Sequence, residues 1–223
     1  MSQKHLAVIA ICALSLYVGF SFMAELRASA QPDILSQHIR ATAIRGETIA
    51  RALDLLTSEY SIPVGIELAD PKRNPDRKID LDLPETTVKE FLDSVVSKDP
   101  RYTWKLEGDV IHVWPLADRD HLLKTLLDTK ISHFAVADGS NRYRIHNDIM
   151  DLPEIKTKLI IADVTPMIFL NFSSMARLQK GVVFEESDLT LRELLDRLAQ
   201  KTNVNRWIIR RWGDNNEFIS LSS

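Results

Sequence analysis

The chain has 223 residues, 45% of them apolar, with 28 basic against 31 acidic side chains and a formal net charge of −3. That length serves one large or two small domains, and mild acidity without a long basic run speaks against binding a nucleic-acid backbone. Glycine is scarce at 7 residues, and neither GxxxxGK followed by Ser or Thr nor GxGxxG occurs, so glycine-rich phosphate loops are excluded.

The first element is an export signal. Behind Lys4, Leu6 to Ala24 is apolar and free of charge, and Ala28-Ser29-Ala30 precedes Gln31. A basic start, an apolar run and small residues two apart predict a signal peptide over residues 1–30, cut behind Ala30, with 31–37 as a linker. The alternative is an uncleaved inner-membrane anchor, because Leu6–Ala24 approaches the ~20 residues that span a bilayer. Either way the rest of the chain is expected outside the cytoplasm, periplasmic or secreted. The one cysteine, Cys12, lies in the apolar run behind Ile11, which is not the small residue a lipoprotein signal needs. Cleavage would leave no thiol for a disulfide, a nucleophile or a metal site.

A first folded module is expected over 38–116. Ile49, Ala52, Leu53, Leu56 and Tyr60 at helical spacing predict a helix over Glu47–Tyr60, followed by a strand at Val64–Leu68. Ile79 and Leu81 alternate as a strand. Thr87 with Glu90 three residues on forms a capping box, and Val88, Phe91, Leu92 and Val95 then make one apolar stripe. Tyr102–Leu106 and Val110–Trp114 alternate around the turn Glu107-Gly108-Asp109, a hairpin. Residues 117–153 read as a connector, with a short helix at Asp120–Leu127 and strands at Ile131–Val136 and Tyr143–Ile145. A second, shortened module is expected over 154–223. In it Thr165-Pro166 starts a helix carrying Ile168, Phe172 and Met175, and Thr190 with Glu193 caps another. A final hairpin turns at Gly213–Asn216.

The two modules are copies. At a constant offset of 103, Ile79–Leu106 falls on Val182–Ile209: Thr87 on Thr190, Glu90 on Glu193, Leu92 on Leu195, Asp93 on Asp196 and Trp104 on Trp207. Lys89 and Arg192 fall together on the solvent side of their helices. The expected fold is therefore α+β: two related small modules, each with two helices on one face of a small mixed sheet.

The run RKIDLDLPETTVKEFLDSVVSKDPRYTWKLEGDVIHVWP (Arg77–Pro115) resembles the short N-terminal module of secretins and TonB-dependent receptors, the STN module, as does GETIARALDLL (Gly46–Leu56) with its first helix. The resemblance covers about 39–115 well and 158–221 loosely. It implies a periplasmic module that packs into rings or passes signals to inner-membrane regulators. Neither a secretin pore nor a receptor barrel is expected in these 223 residues, so binding to another envelope protein is the activity the resemblance implies.

The residues themselves offer little chemistry. The histidines are His5, His38, His112, His121, His133 and His146, without an HExxH pattern. Asp118, Asp120 and His121 come nearest to a ligand cluster and read better as a solvated helix start. Glu185, Glu186 and Asp188 read as carboxylates favoured before a helix N-terminus. Asp138-Gly139-Ser140-Asn141 is a turn. No catalytic residue, metal or cofactor is expected.

Aromatics supply the positive signal. Trp104 and Trp207 fall on inner strand faces, whereas Trp212 lies in phase with Arg210, and Trp114 lies in phase with His112. Exposed tryptophan beside arginine is typical of a contact surface, so Trp212, Arg210 and Trp114 are the candidate partner-binding residues. The expected partner is another envelope protein, or a second copy in a homo-oligomer. Nucleic acid is not expected, and membrane only if the leader stays. A membrane-anchored envelope scaffold is the alternative reading, and a small periplasmic hydrolase or ligand-binding protein a further one.

Overall fold

The computed structural model describes residues 33–72, 75–117, 119–167, 184–202, 205–212 and 217–222, with the backbone alone for Arg142, Met167 and 217–222. The expected leader, Cys12 and the turn 213–216 lie outside the described residues. So do Ile168, Phe172 and Met175. Among the described residues no helix is long and apolar enough to cross a membrane.

The fold is α+β. After a single turn at Ile34–Ser36, the chain forms β1 (His38–Ile39), β2 (Thr42–Glu47), α1 (Ile49–Glu59), β3 (Val64–Leu68), β4 (Ile79–Leu83), β5 (Thr86–Thr87), α2 (Val88–Lys98), β6 (Tyr102–Glu107) and β7 (Val110–Pro115). It continues through α3 (His121–Leu127), β8 (Lys130–Val136), α4 (Arg142–Met150), α5 (Pro153–Ile161), β9 (Val164–Met167), β10 (Phe184–Thr190), α6 (Leu191–Lys201), β11 (Arg206–Trp212) and β12 (Glu217–Ser222).

Both capping boxes form. The Thr87 hydroxyl accepts from the Glu90 amide, and the Glu90 carboxylate accepts in return from the Thr87 amide at 2.9 Å and the Thr86 hydroxyl at 2.6 Å. These bonds, that from Thr86 foremost, hold the Glu90 carboxyl down at about 2. Thr190 and Glu193 repeat the arrangement, and the Thr190 amide, 2.7 Å away, is the main reason the Glu193 carboxyl also lies below its ordinary range. A cap of this kind stabilises by about 0.5–2 kcal/mol. The stripes behind the caps are buried: Val88, Phe91, Leu92 and Val95 in α2, and Leu191, Leu194, Leu195 and Leu198 in α6.

The repeat runs further than the aligned segment. His38 pairs with Thr87, and Lys130 with Thr190, so β8 stands to β10 as β1 stands to β5. The Val88 amide donates to the Gln37 carbonyl at 2.9 Å, and the Leu191 amide to the Thr129 carbonyl at 2.8 Å. In α1 Ala52 and Leu56 are buried; 103 residues on, Ile155 and Leu159 are buried in α5. Each unit is thus strand, helix, two strands, helix and hairpin, with α4 inserted in the second.

Four expectations are corrected by this. Tyr143–Ile145 is helical, because the Asn141 side chain caps α4 by accepting from the Arg144 amide at 2.8 Å. Thr165 and Pro166 lie in β9, which pairs with β12 alone among the described residues, an edge position that tolerates proline; the proline at a helix start is Pro153 of α5. β9 also gives the second unit, expected to be shortened, its counterpart of β3, and β8, placed in the connector, is the second unit's first strand.

The central feature is one six-stranded sheet in the order β6-β7-β3-β11-β12-β9. Its two halves have the same pattern: β6 is antiparallel to β7, and β7 parallel to β3, as β11 is antiparallel to β12, and β12 parallel to β9. The halves meet where β3 runs parallel to β11, with Gly65 opposite Trp207 and Glu67 opposite Ile209. They meet flipped. Val64, Ile66, Ile111, Val113 and Ile208 face a core built on α1 and α2. Trp207 and Ile209 point to the other face, into a core built on α3, α5 and α6. Each unit keeps its helices on one face of its own strands, and the joint places those faces on opposite sides.

Candidate functional site

The joint between the units carries the densest polar chemistry among the described residues. Glu67, in the middle of β3, is 2% exposed. Such a carboxylate has to be paired, and two arginines do it. Arg192 of α6 donates from Nη2 to Oε1 at 2.8 Å, and Arg119, just before α3, donates from Nε to Oε2 at 2.8 Å with a second bond to Oε1. The bonds to Glu67 keep the Arg119 guanidinium above its ordinary range. Arg192, expected beside Lys89 on the solvent side, is instead part-buried against the first unit. It stacks 5.9 Å from the Trp207 ring centroid.

His112 on β7 is equally buried, and its ring meets Trp207 edge-on at 5.8 Å. Arg192 Nη1 lies 3.4 Å from its Nδ1, and Asp196 Oδ2 3.2 Å from its Nε2. A guanidinium can only donate, so Nδ1 is the acceptor in the first contact, while Nε2 lies at ion-pair distance from Asp196 without a hydrogen bond to it. Asp196 Oδ1 accepts from the Trp207 indole at 2.8 Å. On the opposite face the joint is held by Arg206 with Asp54 and by Arg210 with Asp76. Burial lowers the Arg206 pKa.

One contact explains the lone glycine of β3. A Cβ built on Gly65 would lie 2.3 Å from Trp207 Cζ2 and 2.4 Å from Cε2, so the indole rests directly on the β3 backbone.

The residues singled out from sequence do not form one patch. Arg210 and Trp212 share the face of Ile208, whereas Trp114 shares the opposite face with His112. Arg210 is largely buried in its pair with Asp76. Trp114 is half-buried beneath the Arg119 guanidinium, 5.5 Å from its ring. Asp120 caps α3 by accepting from the Leu122 and Leu123 amides at 2.8 and 3.1 Å, and also accepts from Arg211 at 3.3 Å. Glu186 pairs with Arg197 and Lys201, the latter pair chiefly lowering its pKa. Among the described residues no three His, Cys, Asp or Glu side chains are placed to hold a metal ion.

Three surface features remain. The outer edge of β6 has no strand beside it among the described residues, with Trp104 and Leu106 on one face and Lys105 and Glu107 on the other. An open groove of about 750 Å³ is lined by Asp128, Lys130, Glu154, Lys158 and Ile161 among others, charges of both signs. Beside it the end of α5 exposes Ile160 and Ile161 at 70% and 80%.

Comparison of the chain with protein-family models, with characterised proteins and with solved structures returned no match.

Proposed function

We propose that this chain is a non-catalytic protein of the cell envelope that works by holding another envelope protein, and that its two units are of the STN type found in secretins and TonB-dependent receptors. The observation that carries the reading is the β6 edge, open among the described residues, of a sheet assembled by joining like units edge to edge: the fold already uses strand edges as its means of attachment. The apolar leader and the Ala28/Ala30 pair support export.

Cross-linking in intact envelopes tests it. One defined neighbour should be captured, and Trp212→Ala or Trp114→Ala should lower its yield with little change in the melting temperature. A phenotype lost only in His112→Ala, Asp120→Ala or His121→Ala would point to an enzyme or a ligand site. Intact mass separates the cleaved form from the anchored one: a species beginning at Gln31 supports the periplasmic reading, and one retaining Met1–Ala30 the scaffold.

A further inference from the structure

The β6 edge, which has no strand beside it among the described residues, is the counterpart of the edge that β3 fills at β11. At the joint the Val64 amide donates to the Asn205 carbonyl at 3.0 Å, so Asn205 and, by alternation, Trp207 and Ile209 turn their backbone groups toward β3. In the first unit the Leu116 amide donates to the Arg101 carbonyl at 2.7 Å. Arg101, Thr103, Lys105 and Glu107 therefore turn theirs toward β7, and Tyr102, Trp104 and Leu106 turn theirs outward. These three are the residues that fall on Asn205, Trp207 and Ile209 at the offset of 103.

The side chains repeat as well. The Trp104 indole donates to Asp93 Oδ1 at 3.0 Å, as Trp207 donates to Asp196 at 2.8 Å, which holds both rings by the same bond to the same position of the helix. Trp207, covering Gly65, is 2% exposed, whereas Trp104 is only half-buried. Lys89 stands where Arg192 stands at the joint. It is well exposed and pairs with Asp93 at 2.6 Å, a cation on the side from which Arg192 reaches Glu67.

Resting on the reading that the chain acts by contact, we infer that the β6 edge takes an extended segment of another protein as a seventh strand, parallel to β6. That segment places a glycine under Trp104 and a carboxylate two residues further on, within reach of Lys89. Backbone bonds to Tyr102, Trp104 and Leu106 provide the attachment, and the tryptophan and lysine provide register and selectivity. The chain's own β3, Val64-Gly65-Ile66-Glu67-Leu68, has this pattern at the internal joint. Glycine is selected by the overhanging indole, and the acidic residue by charge.

The test is a titration of the isotope-labelled full chain with a synthetic peptide copying residues 61–70, followed by NMR. The inference expects shifts at the Tyr102, Trp104 and Leu106 amides and at the Trp104 indole N–H. A Gly65→Leu peptide should bind at least about tenfold more weakly, since the added side chain meets the ring. A Glu67→Lys peptide should lose affinity and regain it on the Lys89→Glu protein. Shifts elsewhere, indifference to Gly65→Leu, or no response at millimolar peptide would overturn it, as would self-association abolished by Leu106→Pro, which would make the occupant a second copy. If the peptide fails while envelope capture persists, the strand is wrong and the contact reading stands; if both fail, so does the contact reading.

Discussion

Gly65→Ala is the sharpest perturbation of the joint. The new methyl carbon would start 2.3 Å from Trp207 Cζ2 and 2.4 Å from Cε2, where carbon atoms attract best at about 3.5–4.0 Å. The ring has to move by roughly 1 Å, and it has nowhere easy to go. It is 2% exposed, bonded to Asp196 at 2.8 Å and held edge-on by His112 at 5.8 Å. Overpacking of this kind costs about 1–3 kcal/mol, against about 0.4–1 kcal/mol that alanine gains by restricting the unfolded chain. A net loss of roughly 1–2 kcal/mol is expected in urea unfolding followed by tryptophan fluorescence. In a Trp207→Leu background the same change should cost nothing or stabilise, so the cycle should show a coupling of about 1–3 kcal/mol. Alanine that is neutral or stabilising in the wild-type background would refute the contact, and with it the claim that the indole lies across the joint.

Three further outcomes follow from the same packing. Leu92→Ala and Leu195→Ala, equivalent and buried, should each destabilise by ~2–5 kcal/mol in denaturant melts, whereas Lys89→Ala on the exposed face stays within about 0.5 kcal/mol. Glu67→Gln leaves Arg192 and Arg119 facing a neutral amide and should cost ~3–5 kcal/mol; a loss below about 0.5 kcal/mol would mean the arginines do not depend on it. Carboxyl-carbon NMR titration should find Glu90 near 2 and Glu193 below the usual range. Because folding depresses both pKa values, their stabilising effect is present above the unfolded value of 4.5 and is lost as pH falls toward the folded values. Glu90→Gln should therefore flatten that part of the acid-unfolding curve, and an unchanged slope would remove the box from the account.

Local signals in the sequence were enough for much of the fold. The two capping boxes, the stripes behind them and the hairpin around Gly108 depend on neighbours within one helix turn or one tight turn, and they formed as the spacing predicts. Thr165-Pro166 misled because proline suits both a first helical turn and an edge strand, and only the pairing of β9 with β12 decides between them. The apparent strand at Tyr143–Ile145 yielded to the Asn141 cap, a short-range signal that starts a helix at Arg142. β8 was visible as a strand, but its membership in the second unit rests on pairing with β10, some fifty positions along the chain. The joint was hidden for the same reason: Glu67, His112, Arg119, Arg192 and Asp196 lie far apart in sequence, and each alone reads as a surface charge or a solitary histidine. Gly65 was the one usable hint, a glycine within the apolar strand Val64–Leu68, where close approach of another group is a standing explanation.

Whether the two units form one continuous sheet is best decided by native-state hydrogen exchange at two amides of the first unit. The Ile111 amide donates to the Pro63 carbonyl within that unit, and the Val64 amide donates across the joint to the Asn205 carbonyl, each at 3.0 Å. If β3 and β11 belong to one cooperative body, both amides exchange only through global unfolding and give the same opening free energy. A Val64 amide that exchanges orders of magnitude faster than Ile111 would mean that the units part while each stays folded, contradicting the account.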